Sequence, residues 1–227
     1  MSAQRTTNWI RVGLLALPVY GLLTFWTTFT HEPNRTTEVE AYARYVSSSA
    51  YLTQHLLGSI LATILAIFGV IALGAYLANG RGGRLALTAM VMSVAGNALN
   101  LTIFGFSTII SPVIGQLYLE GQPGVMEVNE AIFSSAVFLI LSVPGMLLYL
   151  VGNILLGIAV WRSKTLPKWA GSLYTPTGLV MIAGQFIPVF QSVAMVMFIV
   201  STGWMAWSVR HRASAETVGV GAQPRVQ

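Results

Sequence analysis

The sequence predicts an all-α polytopic membrane protein, a bundle of six transmembrane helices with both termini cytoplasmic. Three observations predict it. Apolar residues make up 55% of the 227-residue chain and charged ones only 8%, against about 25% charged in a soluble domain. Apolar stretches near 9–29, 51–79, 85–110, 131–161, 169–187 and 190–209 each reach the ~18 residues that cross a hydrocarbon core. Charge then sorts by side. With six spans, Arg5, Arg11, Arg81, Arg84, Arg162, Lys164, Lys168, Arg210, Arg212 and Arg225 share one face, and only Arg35 and Arg44 lie on the other. Basic residues stay on the side from which they are hard to translocate, so the first face is cytoplasmic.

Taken in order, the first span follows Arg5 and Arg11, and the bulky polar "TTFTHEPN" after it lacks a small-residue cleavage site, so it reads as a retained helix. The second carries Gly58, Ala62, Ala66 and Gly69 at the spacing that lets backbones approach closely in lipid. His55 and Ser59 extend that stripe, which turns His55 toward the bundle at its outer rim. The third span holds the most polar stripe, Ser93, Asn97, Asn100 and Ser107. Asn97 sits ~18 Å along it, near mid-membrane, where an amide must face protein or water.

Pro144 is placed to kink the fourth span and Pro176 the fifth. The fifth span ends at a tight outer turn marked by Gln185, Pro188 and Gln191. Trp9, Trp161, Trp169, Trp204 and Trp207 fall near cytoplasmic helix ends and Trp26 near an outer one, where amphipathic rings favour the interface. The bundle occupies 1–212, and the small polar residues of 213–227 read as a disordered cytoplasmic tail. Loops 30–50 and 111–130 lie outside, and they hold Glu32, Glu38, Glu40, Glu120, Glu127 and Glu130.

Absent residue types narrow the chemistry. With no cysteine there is no disulfide, thiolate ligand or thiol catalysis. Without aspartate, the paired carboxylates that hold Mg²⁺ in membrane prenyl- and phospho-transferases are missing. No lysine or carboxylate falls inside a span, which disfavours a retinal Schiff base and a carboxylate-coupled transporter. The formal charge of +5 is scattered over short segments, so it is an orientation signal and points to no nucleic-acid partner.

The stretch "THEPNRTTEVEAYARYVSSSAYLTQH" concentrates what chemistry remains. Thr37 and Glu40 fit a capping box, Glu40 and Arg44 an i,i+4 pair, and Tyr42, Tyr45 and Tyr51 an interfacial helix. Asn34-Arg35-Thr36 also fits a glycosylation acceptor pattern. Two site readings stay open. One is a polar ligand pocket on the outer side, lined by His55, Asn97, Asn100, Ser107, Gln185 and Gln191. The other is a metal or haem centre at His31, Glu32 and His55, since two imidazoles and a carboxylate suit zinc or iron.

The segment "GNILLGIAVWRSKTLPKWAGSLYTPTGLV" resembles an element of uncharacterised bacterial multi-helix membrane proteins, in which "WRSxxLPxWAG" joins two spans. The matching residues are Trp161, Arg162, Ser163, Leu166, Pro167, Trp169, Ala170 and Gly171. The resemblance implies a cytoplasmic inter-helix turn and no activity. The expected function is therefore a non-catalytic, plasma-membrane protein that binds a small molecule or lipid, or serves as a subunit beside partner chains or copies of itself. A metal- or haem-binding enzyme or electron carrier, and a passive solute facilitator, are the alternatives.

Overall fold

A computed structural model describes residues 3–30, 32–184 and 186–221. All regular structure among them is helical: α1 (Ala3–Thr27), α2 (Val39–Val46), α3 (Ser49–Gln54) continuing through a π-helical turn (His55–Leu61) into α4 (Ala62–Leu77), α5 (Gly83–Leu119), α6 (Val125–Phe133), α7 (Ala136–Ser163), α8 (Lys168–Tyr174), α9 (Thr177–Ala183) and α10 (Val189–Gly221). Residues 222–227, the end of the expected tail, lie outside the described residues, and α10 runs to Gly221 before them.

Five helices are long and apolar enough to cross a membrane: Asn8–Thr27, Ser49–Leu77, Gly83–Leu119, Ala136–Ser163 and Val189–Arg212. They coincide with the first four and the last of the expected spans. The stretch at 169–187 differs, because α8 and α9 are separate seven-residue helices divided at Thr175-Pro176. Pro176 has no N–H to donate, and Thr175 Oγ1 and Thr177 Oγ1 take up the carbonyls of Gly171 (2.8 Å) and Tyr174 (2.7 Å) around the break. The pair retraces α7: a Cβ added to Gly171 would meet Gly157 O at 2.7 Å and Trp161 N at 2.8 Å, and one on Gly178 would meet Leu150.

Glycines set the other crossings. Gly13 lies against Ala72 and Gly69 against Leu17, so the small-residue face of α4 is filled by α1. Gly96 and Gly152 bring α5 and α7 together, against Tyr149 and Ser93. At the bundle centre Tyr20 and Tyr174 both contact the Phe198 ring, with centroids 5.1 and 5.3 Å away.

At 37 residues, α5 is about 55 Å long at 1.5 Å per residue, well beyond a ~30 Å hydrocarbon core. The expected loop at 111–130 is therefore mostly helix. The chain continues through Pro112, turns at Gly121 (φ 80°) and Gly124 (φ 74°), and enters α6. Packing explains the extension. The far end of α5 carries Gly115 directly under Ala43, Val46 and Ser47 of α2. A second small core of Tyr42, Val46 and Tyr51, with Tyr45 and Met126, forms in this cap. Two tyrosines placed by the sequence at an interface are thus buried, Tyr42 to 4% exposure and Tyr51 to 2%.

Candidate functional site

The connection from α1 to α2 is built by a reciprocal pair. Asn34 Oδ1 accepts the amides of Thr36 (2.9 Å) and Thr37 (3.1 Å), while Glu38 Oε2 accepts the Asn34 amide (2.9 Å). The capping box expected at Thr37 and Glu40 is not formed: Glu38 stands at the N-cap with no side-chain cap bond, and Asn34 closes an Asx turn ahead of the helix. Glu40 keeps its expected partner, Arg44 Nη2, at 2.5 Å. This turn lies between Glu32 and α2 and places Arg35 beside the second cavity. Arg35 is committed: its Nε lies 3.3 Å from Glu130 Oε2, and its guanidinium stands 5.0 Å over the Phe133 ring.

On the opposite wall, Ser48 caps α3 by accepting from the Tyr51 amide at 3.2 Å. Beyond α3 the helix widens into the π-helical turn, in which the Ala62 amide reaches back five residues to Leu57 O. A turn of this width presents both His55 and Ser59 to the same space while Gly58 faces α1. There a Cβ would collide with Thr27 Cγ2, and the Gly58 carbonyl accepts from Thr24 Oγ1 at 3.4 Å. The His55 ring stacks on Tyr51 with centroids 3.9 Å apart, and its Nδ1 lies 3.2 Å from Tyr51 O. Tyr51 is itself anchored, its hydroxyl donating to Ser107 O at 3.2 Å.

Gln54 ties three segments. Its Oε1 accepts from the Tyr45 hydroxyl at 2.7 Å, and its Nε2 donates to Thr30 Oγ1. Between these walls lie two adjoining cavities of about 560 and 590 Å³, within the usual range of ligand pockets. The first opens among Thr28, Tyr45, Gln54, Ser59 and Gln191, the second among Arg35, Tyr42, Tyr51, Ser107 and Ser111. Glu32, His55 and Phe104 line both, and so stand on the partition.

Burial raises the Glu32 carboxyl above its ordinary value, with the neighbouring Arg35 charge opposing. Burial likewise raises the phenols of Tyr42 and Tyr45, the latter to about 12, with the Glu32 charge adding to both. Those hydroxyls therefore remain protonated donors around a carboxylate.

The sequence-selected residues divide. His55, Ser107 and Gln191 line the cavities. Asn97 does not: it is buried and donates back to Ser93 O at 2.8 Å, within its own helix. Asn100 faces the α5–α7 crossing, 3.0 Å from where a Cβ on Gly145 would stand. Gln185 and His31 lie outside the described residues. Of the proposed metal trio, Glu32 and His55 share the partition. Among the described residues, no group of three or more His, Cys, Asp or Glu side chains is placed to hold a metal ion. Sequence reasoning did not select Gln54, Tyr45 or Ser111. The signal for Gln54 was its place one turn after Tyr51 and beside His55.

In comparisons with known proteins, no family model, curated protein or solved structure gave a significant match.

Proposed function

We propose that the chain is a multi-pass plasma-membrane protein that binds a small molecule in a polar vestibule on the outer face, without catalytic residues of its own. The observation that carries this is the partition: one carboxylate, one imidazole and one aromatic ring shared by two adjoining cavities. Convergent polar groups in a concave space of this size are what a ligand site needs, because each fixes the ligand's orientation. The distribution of arginine and lysine supports an outward vestibule, since the cavities lie at the Arg35 and Arg44 end of the bundle. The antiparallel course of α8 and α9 along α7 supports a sixth crossing made in two pieces. Because α1 fills the small-residue face of α4, the reading does not call on a partner helix there.

The chain has no cysteine, so single-cysteine variants test the reading directly. Ser59→Cys and Gln191→Cys are expected to react with membrane-impermeant thiol reagents added outside intact cells, and buried Ser93→Cys is not. Labelling only after permeabilisation would reverse the orientation. No labelling of either lining position would remove the vestibule.

A further inference from the structure

We infer that the vestibule takes a small organic cation, an amine or quaternary ammonium, held between the Glu32 carboxylate and the aromatic rings of Phe104 and Tyr45. The inference rests on the vestibule reading and names its ligand class.

Charge accounting comes first. Among the described residues, the lining contains two charged side chains, Glu32 and Arg35. Arg35 is engaged, 3.3 Å from Glu130 and stacked over Phe133. Glu32 has no hydrogen bond or ion pair within the distance of a direct contact among the described residues, and its neighbour Arg35 acts on it only through space. Counting Glu130 with Arg35, the described residues leave one negative charge in excess at the lining. A cation entering the vestibule supplies the missing counter-charge, whereas an anion meets Glu32 at the partition.

Shape and chemistry agree. Phe104 stands on the partition beside Glu32, and Tyr45 lines the first cavity with it. Aromatic faces beside a carboxylate recognise ammonium groups by cation–π attraction, and discriminate against strongly hydrated metal ions that keep their water.

Two readouts test this. In Ser59→Cys, modification by a trimethylammonium-bearing methanethiosulfonate is expected to be at least about tenfold faster than by its sulfonate-bearing counterpart, once each is normalised to a free thiol. Adding Glu32→Gln should remove most of that preference. Calorimetry on purified full-length protein then compares choline, ethanolamine, acetate and the uncharged carbon analogue of choline. A cation is expected to bind at least about tenfold more tightly than the uncharged analogue, a difference of ~1.4 kcal/mol. Glu32→Gln should erase the gap, and Phe104→Leu should weaken the cation several-fold while sparing the fold. Equal affinity for choline and its analogue, binding of acetate instead, or failure of both cations while Ser59→Cys still labels would overturn the cation inference and leave the vestibule standing. If Glu32→Gln does not fold, the reagent preference in Ser59→Cys and the Phe104→Leu affinity decide alone. Failure of labelling would remove both.

Discussion

The Tyr174 hydroxyl donates to Asn153 Oδ1 across 2.6 Å, joining the broken α8–α9 pair to the buried face of α7. Both residues are almost fully buried, and the Asn153 carboxamide also acts on the neighbouring Tyr149 hydroxyl. Tyr174→Phe would leave Asn153 Oδ1 without this donor in a buried position. A loss of about 1–3 kcal/mol in stability is expected. Asn153→Leu in the same background should recover part of it, because an apolar group restores packing without an orphaned dipole. Thermal unfolding of the two single variants and the double variant in detergent checks this; additive losses would show that the two groups are uncoupled.

Gly58 and Gly105 offer a matched contrast. At Gly58 a Cβ would strike Thr27 on α1, and at Gly105 nothing lies within 4 Å. Gly58→Ala should cost about 1–3 kcal/mol through overpacking. Gly105→Ala should be neutral or slightly stabilising, since a helix interior favours alanine over glycine by about 1 kcal/mol. The measurement is the thermal midpoint of each. Because the Gly58 crossing holds the π-helical turn, Gly58→Ala should also slow thiol modification at position 59, which Gly105→Ala should leave alone.

Protonation of Glu32 makes opposite demands on folding and on cation binding. An acid whose folded pKa lies above its unfolded value binds its proton more tightly in the folded state. The stabilisation due to Glu32 is therefore complete below its ordinary value of 4.5 and is lost as pH rises through the raised folded value. Cation affinity runs the other way, absent while the carboxyl is neutral and present once it ionises. Arg35, Tyr42, Tyr45, Tyr51 and His55 face the same space, so the comparison needs Glu32→Gln. Between about pH 4 and pH 8, the difference in thermal midpoint between wild type and Glu32→Gln should shift against wild type as pH rises. A difference that is flat in pH would mean the carboxyl is not desolvated in the folded protein.

Much of the bundle was legible because lipid imposes simple rules. Apolar length located five long helices, and the spacing of Ala62, Ala66 and Gly69 located the face that meets α1. The remainder depended on tertiary contacts. Pro176 marks an interruption in any sequence, but whether a helix bends or divides there is decided by Thr175 packing against Gly157. The π-helical turn has no local signature; its extra width is accommodated by Thr24 meeting the freed Gly58 carbonyl from another helix. The extension of α5 past Pro112 was hidden because it relies on α2 covering Gly115. In the site, His55 was visible from its rarity and its stripe. Gln54 was not, since its partners, Tyr45 and Thr30, lie nine and 24 residues away. Asn97 lies away from these two cavities, its Nδ2 donating to Ser93 O on its own helix, a bond that spacing alone does not reveal.

Glu130 is expected to act on the proposed vestibule through Arg35. Its ion pair with Arg35 is half exposed, with side chains 50% and 39% accessible, and such pairs are worth only about 0–1 kcal/mol to folding. Its expected consequence for the site is larger, because Arg35, held at Glu130 and over Phe133, acts on Glu32 only through space. Glu130→Gln releases Arg35 toward the remaining carboxylate. The expected result is a thermal midpoint close to wild type with choline affinity reduced at least about fivefold, and a smaller preference for the cationic thiol reagent at Ser59→Cys. Glu130→Gln combined with Arg35→Gln should restore the preference, since no cation then competes for Glu32. Unchanged affinity in Glu130→Gln would show that Arg35 is fixed by Phe133 and the Asn34 turn rather than by the ion pair.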